Sequence, residues 1–366
     1  MLEPGLVILF VVQLIVVLAA CKSVGALMPR IGQPKVIGEM IAGILLGPSL
    51  LGLLAPSVHR ILFPPQSFRL LSVLSQIGIV IYMFVVGMHL HTGFLKQSYR
   101  GAAIISTAGV LVPFVLGAGL AAYLYGDGRF FMPEVSITQS MVYLGAAMSV
   151  TAFPVLARII QERGIGGTAL GTLALTAGAV NDIIAWLLLG AVLVTFDREF
   201  GIVPFLASHA VFAAFIAGAL MPRGRFSKHL GRRLEPIASI FLVPLFFAFS
   251  GLSTRLSLLW SAELLWISLG VILVASAGKA LGCWGAARLT GRPNRESWAL
   301  GALMNARGLM ELIILNIGLQ RGLITPTLFT VMVLMTIATT MAAGPLFEWA
   351  WRGRAEVTDA VRVPAR

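Results

Sequence analysis

Eleven runs of predominantly apolar residues follow one another along the chain, at roughly 4–22, 36–54, 70–90, 100–125, 138–160, 168–196, 203–221, 236–254, 262–288, 297–319 and 325–350. A run of about 20 such residues crosses the hydrocarbon core of a bilayer as a helix. In that medium every backbone amide and carbonyl must be satisfied internally, so only helices and closed barrels can span. The strand-length alternation of a barrel is absent. The chain is therefore read as an all-α polytopic membrane protein with about 11 transmembrane helices. Charged residues make up only 11% of the sequence, against about 25% in soluble domains.

The first run resembles a secretory leader in length. Its leading residues carry Glu3 and no basic side chain, and no clear cleavage site precedes Cys21-Lys22, so a retained helix is expected. The net charge of +12 would suggest nucleic acid in a soluble protein. Here its placement matters more. Alternate loops and the tail hold 19 of the 27 basic residues, from Lys22, Arg30 and Lys35 through Arg223–Arg233 to Arg366. The opposite loops hold only Arg60, Arg69, Arg129, Arg198, Arg255 and Arg321. Basic loops stay in the cytoplasm, which places the N-terminus outside and the C-terminus inside a plasma (inner) membrane. The excess also offers contact with anionic membrane lipids, and no nucleic-acid partner is expected. Residues 1–352 are read as one transmembrane domain, and 353–366 as a short basic cytoplasmic tail with no room for a nucleotide-binding domain. Cys21 and Cys283 form neither a disulfide framework nor a metal-ligand spacing. No phosphate-binding loop and no hydrolase motif appears, so no cofactor and no enzyme chemistry is expected.

One residue sets the chemistry. Asp182 is the only charge in the helix 168–196 and lies at its middle, beside Asn181. A carboxylate at that depth costs about 3 kcal/mol on insertion scales. The simplest ligands that offset such a cost are a proton and a small cation.

Two strings recur in order. Ile41-Ala-Gly-Ile-Leu-Leu-Gly-Pro48 parallels Ile216-Ala-Gly-Ala-Leu-Met-Pro222, and Ile81-Tyr-Met-Phe-Val-Val-Gly-Met88 parallels Leu245-Phe-Phe-Ala-Phe-Ser-Gly-Leu252. The first pair opens the second and seventh runs. An odd offset inverts the second copy, giving five-helix repeats at about 36–196 and 203–350, an arrangement found in many secondary transporters. The fourth run of each copy carries a breaker. Pro154 interrupts one beside Thr151, and Gly308 interrupts the other beside Arg307. Broken helices at membrane depth are tolerated where they line a cavity, and their crossed ends present amides and carbonyls to one point.

Gly38-Glu-Met-Ile-Ala-Gly-Ile-Leu-Leu-Gly-Pro48, Thr151-Ala-Phe-Pro-Val-Leu-Ala-Arg158, Asn181-Asp-Ile-Ile-Ala-Trp186 and Met304-Asn-Ala-Arg-Gly-Leu-Met-Glu-Leu312 stand in order. Together they resemble the monovalent cation:proton antiporter superfamily, in the sodium/hydrogen exchanger branch with bacterial and plant cation/proton exchangers. The resemblance covers about residues 5–350. It implies a sodium/proton antiporter-like fold and exchange of Na⁺ or K⁺ for H⁺, with membrane lipids around it and a homodimer as one assembly. By position it implies Asp182 as the shared carrier of cation and proton, and hence the ligand of the transported metal ion. Asn181 is then its pair, Thr151 the polar residue at the first break, Lys279 the facing basic residue, and Arg307 with Glu311 the charged pair of the second break. The pattern departs in one place. Such proteins usually have two helices more, between the Asp helix and Ile216-Ala-Gly; here only Asp197–Ile202 intervene.

Bland readings stand beside these. Lys279 either pairs with Asp182 or neutralises carbonyls at a helix break. Arg307 and Glu311, spaced i, i+4, suit a structural ion pair. Glu39 is a residue of the ion's entrance or a solvated acid, and His89 and His91 are pH sensors or interfacial side chains. Gly43 and Gly47 suit helix packing. A ligand-gated cation channel of the same fold, and a non-transporting sensor or degenerate paralogue lacking two helices, remain the alternative functions.

Overall fold

The computed structural model describes residues 4–88, 99–166, 168–196, 210–222 and 224–351. Its helices are α1 Pro4–Leu27, α2 Lys35–Leu46, the short α3 Leu51–Leu54 and α4 Pro56–Leu62, α5 Pro65–Met88, α6 Tyr99–Tyr125, α7 Ile137–Ser149, α8 Phe153–Glu162, α9 Ala169–Phe196 and α10 Ala210–Leu220. There follow α11 Arg225–Ile237, α12 Val243–Leu252, α13 Ala262–Leu289, α14 Asn294–Met304, α15 Leu309–Gln320 and α16 Pro326–Trp351. Among the described residues nine helical spans are long and apolar enough to cross a membrane, and the bent pair α14–α15 makes a tenth. The run expected at 203–221 is described only as α10. The Asp197–Ile202 connection, His89, His91 and the 353–366 tail lie outside the described residues.

The two recurring strings pack as a symmetric set. α2 lies against α12, and α10 against α5. A Cβ on Gly43 would collide with the carbonyl of Ala248, three residues before Gly251; a Cβ on Gly218 would collide with that of Phe84, three before Gly87. The reciprocal contacts match. Gly251 sits on the carbonyl of Met40, three before Gly43, and Gly87 on that of Phe215, three before Gly218. Each equivalent glycine thus meets the equivalent backbone atom, which is the signature of a two-fold axis relating α2 and α5 to α10 and α12.

The direction of that axis follows. Gly43 faces Ala248 and Gly47 faces Leu252, so α2 and α12 run parallel. As successive spans, α2 and α5 cross the membrane in opposite directions. An axis along the membrane normal would then make α2 antiparallel to α12; an axis in the membrane plane makes them parallel. The observed packing is that of an inverted repeat. Lipid supplies no hydrophobic drive between helices, so direct backbone approach at small residues carries the association.

The basic segment 225–233, expected as a loop, is helical. α11 is amphipathic and continues through a π-helical turn, Ala238–Leu242, into α12. Arg225, Arg232 and Arg233 are exposed on it. Charge hid this helix, because its polar face broke the apolar run.

At one end of the molecule the α6–α7 loop is tied to the α15–α16 turn. Thr325 donates its hydroxyl to the Arg129 carbonyl at 2.6 Å, and Phe131 pairs with Ile324. Arg129 bonds Asp127 and Glu263; the guanidinium holds the Asp127 carboxyl below its usual range. α7 starts beyond this loop with a reciprocal cap, Ser136 Oγ accepting from the Gln139 amide at 3.2 Å.

Candidate functional site

α7 ends at Ser149 and α8 begins at Phe153, with Val150–Ala152 between them outside any helix. Pro154 is the second residue of α8. It breaks the span from below: it has no N–H for the carbonyl four residues earlier, that of Val150, and it fits the first turn of the new helix. In the second break, α14 ends at Met304 and α15 begins at Leu309. Gly308 holds φ 159° and ψ −114°, the mirror image of the β region, where a side chain is disfavoured. A Cβ there would also lie 3.3 Å from Val155 of the first break.

The two breaks cross. The Ala152 amide donates to the Ala306 carbonyl at 2.9 Å, and the Thr151 hydroxyl donates to the Met304 carbonyl at 3.0 Å. Four helix ends therefore meet. Ser149 and Met304 bring carbonyl ends, partly negative; α8 and α15 bring amide ends, partly positive.

Charged groups are matched to these ends. Lys279, fully buried on α13, donates its ammonium to the Ser149 carbonyl. That is a cation at a helix C-terminus. Glu311, also fully buried, lies in the first turn of α15, an anion at a helix N-terminus. Arg307 sits in the second break with Nη1 3.4 Å from Glu311 Oε1 and Nη2 3.4 Å from the Ala275 carbonyl. Its backbone is fixed to α16. Thr340 Oγ1 accepts from the Arg307 amide and donates to the Arg307 carbonyl, both at 2.9 Å.

α9 brings Asn181 and Asp182 to the crossing. Asn181 Oδ1 accepts from the Thr151 amide at 2.9 Å, so Asn181 fixes the first break. Asp182 is 6% exposed. The Phe153 amide, the first of α8, is directed at its carboxylate. Among the described residues Asp182 Oδ1 has no hydrogen-bond partner, and neither does Asn181 Nδ2. Of the two readings of Lys279, the geometry has the carbonyl-neutralising one: the ammonium goes to Ser149. Asp182 is left with an uncommitted oxygen among buried polar groups.

Glu39 is half-buried on α2, away from the crossing, with Arg158 and Lys35 in electrostatic reach. Tyr82 on α5 lies within electrostatic reach of Asp182, Glu39 and Glu235. In the sequence Tyr82 is only one member of a recurring string, because its place depends on helix packing. Asn305, which in the sequence is only one member of a motif, is fully buried, and among the described residues neither Oδ1 nor Nδ2 has a partner. A neutral polar residue beside a breaker was the available signal.

Comparison with known proteins bears on this arrangement. A family model described as "Sodium/hydrogen exchanger, transmembrane" matches residues 14–205 and 190–353, in two pieces that meet where the chain was expected to lack helices. The chain is 37% identical to a Na(+)/H(+) antiporter of Synechocystis over 402 aligned positions, covering 94% of this chain and 98% of that protein. The alignment is longer than the 366-residue chain, so the relative has segments with no counterpart here. Cation/H(+) antiporter 17 of Arabidopsis thaliana is 34% identical and K(+)/H(+) antiporter 1 of Saccharomyces cerevisiae 29% identical, each over 92% of this chain. This chain spans 48% and 46% of those two proteins, about half their length. Among solved structures, the sodium proton antiporter MjNhaP1 from Methanocaldococcus jannaschii shares the fold, with a TM-score of 0.63 at 14% identity, covering 95% of this chain and 98% of that one.

Proposed function

The chain belongs to the sodium/hydrogen exchanger family, and we propose that Asp182 carries a monovalent cation in one direction and a proton in the other. The observation that carries this reading is the uncommitted Asp182 oxygen at the meeting point of four helix ends. One carboxylate cannot hold both ligands. Cation binding expels the proton and proton binding expels the cation, so competition alone couples the two fluxes. Relatives named for Na⁺ and for K⁺ both match, so the cation is one of these two.

Supporting roles follow from position. Asn181 and Thr151 hold the first break open beside the carrier, with Thr151 keeping hydroxyl lone pairs free for the ion. Lys279, Arg307 and Glu311 neutralise the broken ends, so that the pocket's one variable charge is Asp182. Glu39 stands at the ion's entrance. Because Lys279 is engaged by Ser149, it need not release a proton when a cation binds. The exchange is then one for one and electroneutral.

The membrane arrangement is a proposal of the same kind. Basic loops put the N-terminus outside and the C-terminus in the cytoplasm of the inner membrane. Arg225, Arg232 and Arg233 on α11 face anionic lipid headgroups there. Residues 36–196 and 203–350 form the two repeats. The test is a pH-sensitive dye in inside-out vesicles. Addition of NaCl or KCl to acid-loaded vesicles should release protons; cation flux without proton movement would contradict the proposal.

A further inference from the structure

Asn305 caps the end of α14 and lies between two residues that bond the opposite break. On one side the Met304 carbonyl accepts from the Thr151 hydroxyl at 3.0 Å, and on the other the Ala306 carbonyl accepts from the Ala152 amide at 2.9 Å. Its side chain is completely buried, and both Oδ1 and Nδ2 are without a partner among the described residues. Nearly all buried side-chain amides in folded proteins are bonded, and an unbonded pair needs an explanation. Helix capping does not supply one, because the carboxamide bonds no carbonyl of α14. Packing does not either, because an apolar residue of similar volume would fill the space without the desolvation penalty.

The other unpartnered atoms nearby narrow the explanation. Asp182 Oδ1 and Asn181 Nδ2 are also unbonded, and Asn181 is fixed to Thr151, the residue that reaches across to Met304. Arg307 Nε and Glu311 Oε2 at the second break are unbonded too, so most of the orphaned atoms among the described residues gather at this crossing, with Gln13 Oε1 and Ser106 Oγ lying elsewhere. An alkali cation leaving water must exchange its hydration oxygens for protein oxygens, and the number and strength of the neutral ones set which ion is preferred. Asp182 supplies the charge; a neutral oxygen from the second break would complete the site from the opposite side.

We propose that Asn305 is a ligand-contacting residue, its Oδ1 serving as a neutral oxygen for the transported alkali cation. The inference rests on the exchange reading above and adds a ligand from the second broken helix to it. Because the Asn305 side chain makes no hydrogen bond, its truncation should leave the fold intact while weakening ion binding.

The experiment uses the full chain in proteoliposomes and, separately, purified in detergent. Asn305→Ala should raise the apparent KM for Na⁺ or K⁺ about tenfold or more, with kcat little changed and Tm within about 2 °C of the parent or above it. Asn305→Ser, which restores one oxygen, should recover part of the affinity. An unchanged KM in Asn305→Ala overturns the proposal. So does failure of both variants to fold, since the residue would then be structural. If the parent protein shows no exchange, the exchange reading fails on its own. The ligand role is then decided by thermal stabilisation with NaCl or KCl: it stands if the parent gains stability and Asn305→Ala does not, and falls otherwise.

Discussion

Lys279 of α13 bonds the carbonyl of Ser149, where α7 stops, and leaves the Asp182 carboxylate without it. A buried ammonium between a carbonyl end and a carboxylate must divide its donors, and here the helix end has the hydrogen bond. The residue is thereby part of the scaffold of the break. Removing it should cost stability before it alters coupling. Lys279→Gln, which retains a donor, is expected to lower stability less than Lys279→Ala, which leaves a buried carbonyl unmet at a cost of about 1–3 kcal/mol. Any variant that remains folded should exchange ions without sensitivity to membrane potential. Thermal unfolding and flux under a clamped potential check the two halves. A potential-dependent parent that becomes potential-independent in Lys279→Ala would show instead that the lysine carries a second proton.

Arg307 and Glu311, both fully buried at 3.4 Å, give a prediction about charge order. Either single alanine change leaves an uncompensated charge and should destabilise by about 3–5 kcal/mol. The double replacement Arg307→Met with Glu311→Leu should recover most of that loss. A swap, Arg307→Glu with Glu311→Arg, should recover less, because it places a cation in the first turn of α15 against the positive helix end. Melting temperatures of the four variants rank the outcomes; a swap as stable as the parent would remove the helix-end argument.

The symmetric glycines predict symmetric damage. Gly43→Ala and Gly218→Ala each drive a methyl into a backbone carbonyl, and each should cost about 1–3 kcal/mol or more. Gly119→Ala and Gly270→Ala meet nothing within 4 Å and, in mid-helix, should stabilise by about 0.5–1 kcal/mol. Thermal melts of the four single variants suffice. Tolerance at Gly218 with intolerance at Gly43 would contradict the two-fold relation.

Orientation is checked by labelling single cysteines with a membrane-impermeant thiol reagent, in a background lacking Cys21 and Cys283. Arg60 on α4 and Arg225 on α11 are exposed. Arg60→Cys should react in intact cells and Arg225→Cys only after lysis. Reaction of both from outside would show that a span has been miscounted between them.

Much of this arrangement was legible in the sequence because it depends on local chemistry. Pro154 and Gly308 mark the breaks, since one lacks an amide and the other adopts a backbone closed to other residues. Asp182 declares itself through the cost of a carboxylate in an apolar run. The short repeats at Gly43 and Gly218 were readable as strings, but their meaning lay in the backbone contacts they permit. Where the sequence was mute, the deciding fact was a distance between helices. Lys279 had two available partners, and only packing selected Ser149. Asn305 looked like one polar residue in a motif, and only the burial of both its unbonded atoms distinguishes it. The helix at 225–237 was missed because its polar face resembles a loop when hydropathy alone is read.

The central claim is that Asp182 alone carries both ions, and Asp182→Asn in proteoliposomes tests it most directly. The substitution keeps shape and removes the ionisable group, so the variant should fold with a Tm at or above that of the parent. Cation-driven proton release, followed with an internal pH dye during Na⁺ and K⁺ pulses, should fall to the level of protein-free liposomes. Proton release by a folded Asp182→Asn protein at near the parent rate would contradict the account.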